Sequence, residues 1–138
     1  LYGMVYLTRR ETFNAAHRLF NTKWSEEKNF EVFGKCANKN WHGHNYQLFV
    51  TVKGEADPDT GFIIDAKKLG DLIKKEIVER FDHKNLNTDT PYFQNIQPST
   101  ENFCKVIWNL IEPKINQGVL HSIKLQETEN IYAEYFGD

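Results

Sequence analysis

His42-Gly43-His44-Asn45-Tyr46-Gln47-Leu48-Phe49-Val50-Thr51-Val52-Lys53 is the stretch that sets the fold. From His44 to Lys53 it alternates as a strand does. Tyr46, Leu48, Val50 and Val52 fall on one side; Gln47, Thr51 and Lys53 fall on the other, with Phe49 the exception. Carried back along the chain, the apolar side also takes in His44 and His42. Two imidazoles one residue apart then converge on one point, as a metal requires. Gly43 between them carries no side chain, so backbone or ligand can approach closely.

Upstream, Met4 to Phe13 has the composition of a second strand, although Arg9, Arg10 and Glu11 interrupt its alternation. Asn14 to Leu19 continues or ends that strand and carries His17. Lys23 to Phe33 reads as a loop holding a short helix, with Ser25 as N-cap before Glu26 and Glu27. Cys36 follows in a polar, glycine-flanked loop. Downstream, Gly54 to Gly61 is turn-rich. Asp65 then caps an amphipathic helix whose stripe is Leu69, Leu72, Ile73, Ile77 and Phe81. Asp82 and His83 lie just past its end, and Leu86 to Pro98 is irregular. Ser99 or Thr100 caps a second helix with Glu101 in its first turn and a stripe of Phe103, Val106, Ile107, Leu110 and Ile111. Pro113 and Gly118 mark its close. Val119 to Glu127 is a third strand, with Val119, His121, Ile123, Leu125 and Glu127 on one face, and Ile131 to Phe136 a fourth.

The element order is therefore ββααββ. It predicts an α+β fold: a four-stranded antiparallel sheet with two helices on one face, in a single domain over residues 1–138. Such a sheet has two open edges and one bare face, which invites assembly into oligomers.

Composition narrows the function. The net charge of −2 carries no basic footprint, so nucleic acid is not an expected partner. No apolar run reaches membrane-spanning length, and the N-terminal ten residues lack a signal-peptide pattern. Two cysteines do not make a disulfide framework, and the expected location is a reducing cytoplasm.

The histidines carry the chemistry. Three imidazoles, His17, His42 and His44, with an open fourth position make the pattern of a catalytic zinc site; Cys36 as a fourth ligand would make a closed, structural one. Alternatively, Cys36 is a thiol activated by an imidazole that Asp82 orients, with His83 beside it. Glu127 shares a strand face with Ile123 and Leu125, where a carboxylate is costly to bury. It either reaches water at the strand end or is held for a ligand that donates two N–H groups.

Several motifs carry a resemblance. Phe13 to Leu19, Phe33 to Cys36, His42 to Tyr46, Phe81 to Leu86, Ser99 to Asn102 and Glu127 to Asn130 resemble the 6-pyruvoyl-tetrahydropterin synthase family, in order and over nearly the whole chain. The resemblance implies the tunnelling fold, with trimers closing sheets into barrels and two trimers stacking into a homo-hexamer. It implies a lyase of tetrahydrobiopterin biosynthesis that acts on 7,8-dihydroneopterin triphosphate, eliminates triphosphate and yields 6-pyruvoyl-tetrahydropterin. Residue by residue, it makes His17, His42 and His44 the zinc ligands. Cys36 becomes the base, with Asp82 and His83 completing its relay. Glu127 anchors the pterin ring, and Thr100 and Glu101 lie by the pterin pocket. Glu127 and Thr100 are expected to complete a pocket begun by the zinc of a neighbouring chain. Arg9, Arg10, Lys35 and Lys39 lie near the motifs and are candidates to receive the triphosphate. A relative in the family, 6-carboxy-tetrahydropterin synthase, uses the same substrate for deazapurine synthesis of the queuosine type and has a shorter spacer between cysteine and His-Gly-His. Here the spacer is Ala37 to Trp41, as in the pyruvoyl enzymes, although Trp41 stands where a small residue is expected. A zinc- or pterin-binding protein without turnover is the alternative of a different class.

Overall fold

The computed structural model describes residues 3–138; Leu1 and Tyr2, the start of the stretch read for a signal, lie outside it. The first strand, β1 (Val5–His17), pairs antiparallel along its whole length with β2 (His42–Gly54), from Val5 opposite Gly54 to His17 opposite His42. Both strands run further toward the histidines than their composition announces. Their ladder carries all three imidazoles to one end of the sheet. Between them lie a helix, α1 (Glu26–Phe33), and a 3-10 turn (Gly34–Ala37) that holds Cys36. Ser25 caps α1 as expected, its hydroxyl accepting from the Lys28 amide at 3.1 Å.

The second helix, α2 (Ala66–Ile73), is capped by Asp65 and runs on through a π-helical turn (Lys74–Val78) and a last short turn (Glu79–Phe81). The π turn has a cause in the sequence. Leu69, Ile73, Ile77 and Phe81 recur every fourth residue, and all are fully buried. A straight α-helix with 3.6 residues per turn would rotate each of them by about 40° from the last. One wider turn takes up that drift and keeps the four on the sheet. The chain then forms β3 (Lys84–Asn85), α3 (Thr100–Ile111), β4 (Val119–Thr128) and β5 (Ile131–Tyr135).

The sheet order is β3-β1-β2-β4-β5. Five strands replace the four expected, three helices replace two, and the sheet is mixed. The extra strand is β3, which lies parallel to β1 with Ala15 opposite Lys84 and Ala16 opposite Asn85. Two residues hold no periodicity to read, and only docking against β1 makes them a strand. The core-facing side of the sheet, Phe13, Tyr46, Leu48, Val50, Val52, Ile123 and Leu125, packs against the buried stripes of α2 and α3 in one cluster. The two principal helices therefore do share one face, as expected.

One phase is corrected. The β2–β4 register slips between Thr51 and Val52, so that Ser122 and Leu120 are paired and His121 is the extra residue. The bulge reverses the alternation behind it. Leu120 faces the core in place of Val119, which is exposed. His121 moves to the opposite face, against the rings of Tyr6 at 4.7 Å and Phe136 at 5.6 Å.

Phe103 of α3 is the centre of the aromatic core. Its ring meets those of Phe13, Tyr46, Phe81 and Phe93 at centroid distances of 4.9–5.7 Å. Phe103→Ala should cost about 3–5 kcal/mol, the usual range for emptying such a site. The expected result is a marked fall in the urea midpoint; an unchanged midpoint would show that the core closes over the gap.

Candidate active site

His17 ends β1, and His42 and His44 begin β2. All three lie on the core-facing side of the sheet, because alternation from Ala15 and Tyr46 puts them there. His17 Nε2 is 3.0 Å from His42 Nε2 and 3.1 Å from His44 Nε2. Glu127, near the end of β4, adds a carboxylate: Oε1 lies 2.7 Å from His44 Nε2 and 3.4 Å from His17 Nε2. One donor atom from each of the four falls within 4.8 Å of the others.

The tautomer of His17 is fixed by its surroundings. Its Nδ1 lies 2.7 Å from the Pro98 carbonyl, which can only accept, so Nδ1 carries the proton. In the neutral ring, the form a metal would bind, Nε2 is then a bare lone pair aimed at two other ring nitrogens; only the protonated ring can donate from Nε2 to Glu127. A cation at the centre would satisfy all three. Ligands at about 2.05 Å in tetrahedral array stand roughly 3.3 Å apart, only slightly wider than the separations here. His42 is held below its ordinary pKa, first by burial and then by the two neighbouring imidazoles, which keeps it neutral as a ligand must be. The donor set thus fits a metal ion.

Glu127 is held well below the usual carboxylate range by hydrogen bonds from His17 and His44, with a further one from Thr100. Thr100, the first residue of α3, donates its hydroxyl to Glu127 Oε2 at 2.5 Å. Glu127 and Thr100 therefore stand with the histidines of their own chain. Glu101 is exposed, and no hydrogen bond or ion pair joins it to the cluster.

Cys36 is fastened close by. The Leu19 amide donates to its carbonyl at 2.8 Å, and Arg18 Nε donates to the Ala37 carbonyl at 3.1 Å. The segment that follows His17 therefore holds the cysteine turn. In the chain by itself the thiol is pushed up, by burial first and then by the charge of Glu127. This is the opposite of the lowering that zinc and an imidazolium would produce.

Asp82 and His83 form a pair of their own. Asp82 Oδ2 is 2.9 Å from His83 Nδ1, and Asp82 Oδ1 accepts from the Asn14 amide at 2.8 Å. That backbone bond is the main cause of the lowered Asp82 pKa, with His83 adding to it. His83 has φ 60, a left-handed backbone uncommon outside glycine, and its ring is 83% exposed. It makes no hydrogen bond to Cys36. The chain brings together the three histidines, Glu127 and Thr100, sets Cys36 beside them, and leaves Asp82–His83 facing outward.

The model of the 6-pyruvoyl tetrahydropterin synthase family matches residues 6–138. This chain belongs to that family. It is 42% identical over 132 residues to the human 6-pyruvoyl tetrahydrobiopterin synthase, covering 96% of this chain and 91% of that protein. The structure of the Caenorhabditis elegans 6-pyruvoyl tetrahydropterin synthase superposes with a TM-score of 0.92 at 34% identity, covering 99% of this chain and 97% of the other. A 6-carboxy-5,6,7,8-tetrahydropterin synthase from Rickettsia conorii is 30% identical over 149 residues, covering 95% of this chain and 99% of that protein.

Two residues of the site have roles that residue type does not announce: Pro98, whose carbonyl sets the His17 tautomer, and Asn14, whose amide anchors Asp82. Both act through backbone atoms, which leave no trace in residue type. Tyr46 was read as core; its hydroxyl is buried beside the cluster without a partner, and burial together with Glu127 raises its pKa.

The metal ligands and Glu127 separate experimentally. His42→Ala should lose most bound metal, whereas Glu127→Gln should retain it, as measured by elemental analysis after dialysis. Metal lost from Glu127→Gln would make the carboxylate a fourth ligand and close the site.

Proposed function

We propose that this chain is a zinc-dependent lyase that converts 7,8-dihydroneopterin triphosphate to 6-pyruvoyl-tetrahydropterin with loss of triphosphate. The observation that carries the reading is the convergence of three Nε2 atoms and a carboxylate in a chain of this family. The whole chain is read as one such domain. The metal is read as zinc because three neutral imidazoles with an open position are a zinc set. When bound, it supplies Lewis acidity toward the side-chain hydroxyls of the substrate.

The protein's own groups do the rest. Glu127 lies at the mouth of the cluster and accepts paired N–H bonds from the pterin ring, which fixes the ring's orientation. Thr100 fixes the orientation of Glu127. Cys36, as thiolate, removes a proton from the side-chain carbon that bears the first held hydroxyl; that carbon becomes a ketone as its two hydrogens pass to the pterin ring, which is reduced from dihydro to tetrahydro. Loss of a proton from the next carbon then expels the triphosphate with the C–O electron pair, and the enol left behind takes up a proton to give the second ketone. The thiolate needs help, since Cys36 is pushed up in the isolated chain. Asp82 holds the proton of His83 at Nδ1 and leaves Nε2 free at the surface.

We read the missing contact between Cys36 and His83 as one made between copies, in a homo-hexamer with shared sites. The uncovered face of the sheet carries the exposed rings of Tyr6 and Tyr132, which supports assembly. Both cysteines are free, which fits a reducing cytoplasm, and among the described residues no helix is long and apolar enough to cross a membrane. The five-residue spacer Ala37 to Trp41 favours the pyruvoyl product over the carboxy relative.

Cys36→Ala should keep its metal and lose about a hundredfold or more of its turnover, the typical worth of a positioned acid–base group. Product mass after incubation with 7,8-dihydroneopterin triphosphate tests the reaction, and acetaldehyde release would redirect the assignment to the carboxy enzyme. Sharing of sites is tested by mixing. Cys36→Ala and His83→Ala proteins, each inactive, should regain activity when unfolded and refolded together. No recovery in the mixture would place the relay within one chain.

A further inference from the structure

Four basic residues were candidates to receive the triphosphate, and the structure weakens most of them. Arg9 lies on the core-facing side of β1, paired with Glu11 at 3.1 Å. Its guanidinium is pressed against α2, so close that a Cβ on Gly70 would come within 2.8 Å of it. Arg10 points to the opposite side of the sheet and donates to Gln47 at 3.2 Å. Lys35 is exposed. Lys39 is paired with Glu26 at 3.6 Å, with both side chains open to water.

Arg18 was not among them, and it stands apart. It directly follows the metal ligand His17. Its main chain is clamped by the Asn87 side chain, which accepts from the Arg18 amide at 3.0 Å and donates to its carbonyl at 2.9 Å. Its guanidinium stacks on Phe20 with the carbon 3.9 Å from the ring centroid, and lies 5.9 Å from the centroid of Trp41. One nitrogen, Nε, is used on the Ala37 carbonyl. Among the described residues no carboxylate pairs with it, so the two terminal nitrogens and the positive charge are left for something else. A planar fork of this kind matches the geometry of phosphate and carboxylate oxygens.

The charge opens into a cavity of about 290 Å³ lined by Arg18, Phe20, Glu26, Phe30, Ala37, Asn38 and Lys39. That is at the small end for a ligand pocket, suited to an anionic head rather than a whole pterin. Its wall includes Ala37, the residue after Cys36. The Glu26–Lys39 pair at its rim is an exposed one and contributes little, so Lys39 is free to turn toward a stronger anion.

We propose that Arg18, with Lys39 at the rim, seats the polyphosphate group of the substrate. The placement suits the chemistry. A leaving group seated there lies beside the turn that carries the thiol, since Ala37 of the cavity wall follows Cys36 directly, and Arg18 holds both the cysteine turn and the departing charge. Trp41 then has a use as well. Its ring centroid lies 5.9 Å from the guanidinium carbon and places a second aromatic beside the group already stacked on Phe20.

The inference rests on the reaction read above, and its test is kept separate from that reaction. Inorganic tripolyphosphate and phosphate-free 7,8-dihydroneopterin are titrated by calorimetry into the metal-loaded protein and its variants. Wild-type protein should bind tripolyphosphate. Arg18→Gln should bind it about tenfold to a hundredfold more weakly, as expected for losing a charge-assisted fork, while its zinc content and its dihydroneopterin affinity stay at the wild-type level. Arg18→Lys should keep part of the affinity, since charge remains and geometry does not. Lys39→Gln, an exposed change that spares the fold, should weaken tripolyphosphate a few-fold and leave the pterin untouched. Tripolyphosphate that fails to bind wild-type protein, or binds Arg18→Gln equally well, overturns the proposal. So does an Arg18→Gln protein that loses dihydroneopterin in the same proportion, because Arg18 would then only hold the cysteine turn. None of these readings uses turnover, so a protein that binds both probes yet does not convert the triphosphate substrate would refute the reaction and leave the subsite standing.

Discussion

Three ring nitrogens and a carboxylate oxygen crowded within 4.8 Å are the constraint on which the rest of this structure depends. Such a cluster is unfavourable by itself. Three basic nitrogens repel if they are all charged, and leave lone pairs facing one another if they are all neutral. The fold holds them there by means that have nothing to do with the metal. An unbroken antiparallel ladder sets His17 opposite His42, and the period of two then aligns His44 on the same face. Below them the ring of Tyr46 stacks on Phe13 at 5.2 Å, so the cluster rests on the aromatic core. The strain of assembling the site is carried by packing that exists without it.

The surrounding groups are tied to the same two strands. Arg18 and Leu19, just past His17, hold the turn that carries Cys36. Asn14, three residues before His17, holds Asp82 through its amide, while its carbonyl takes the His83 amide. One strand end therefore positions an imidazole of the candidate metal site, a thiol and an acid–imidazole pair. The imidazole of the pair is open to solvent, and His83 keeps an uncommon backbone there. On the reading proposed above, a local geometry that costs energy and presents a ring to solvent is explained by a partner group from another copy.

Much of this was legible in the sequence because it rests on periodicity. The alternation from His44 to Lys53, the stripe from Leu69 to Phe81 and the caps Ser25, Asp65 and Ser99 all appear where residue type places them. What escaped has no periodic signature. The strand at Lys84–Asn85 is too short to alternate. The bulge at His121 shifts the phase of Val119 without changing composition. The short helix after Ser25 was read, but not its weight as a third helix alongside the other two. In the site, the histidines were visible as a spacing, and Glu127 as a carboxylate on an apolar face. Arg18 was invisible as a candidate, since one arginine among several gains meaning only from its lack of a partner.

Glu127 is where the demands of metal and substrate meet. In the chain alone its Oε1 takes hydrogen bonds from His44 and His17, and its Oε2 takes one from Thr100. A ring nitrogen that gives its lone pair to a cation has no proton left to donate. Filling the three imidazoles with metal therefore removes the bonds at Oε1 and leaves the Thr100 bond at Oε2 in place. The carboxylate stays ionised, since a cation nearby favours the charged form. It remains tethered at one oxygen and is open at the other, the state that suits a ring edge carrying adjacent N–H groups. The position of Thr100 at the first turn of α3 is what allows this, because its hydroxyl holds the carboxylate independently of the histidines. On the function proposed above, a site built in this way would become receptive to the pterin ring only after the metal is in place.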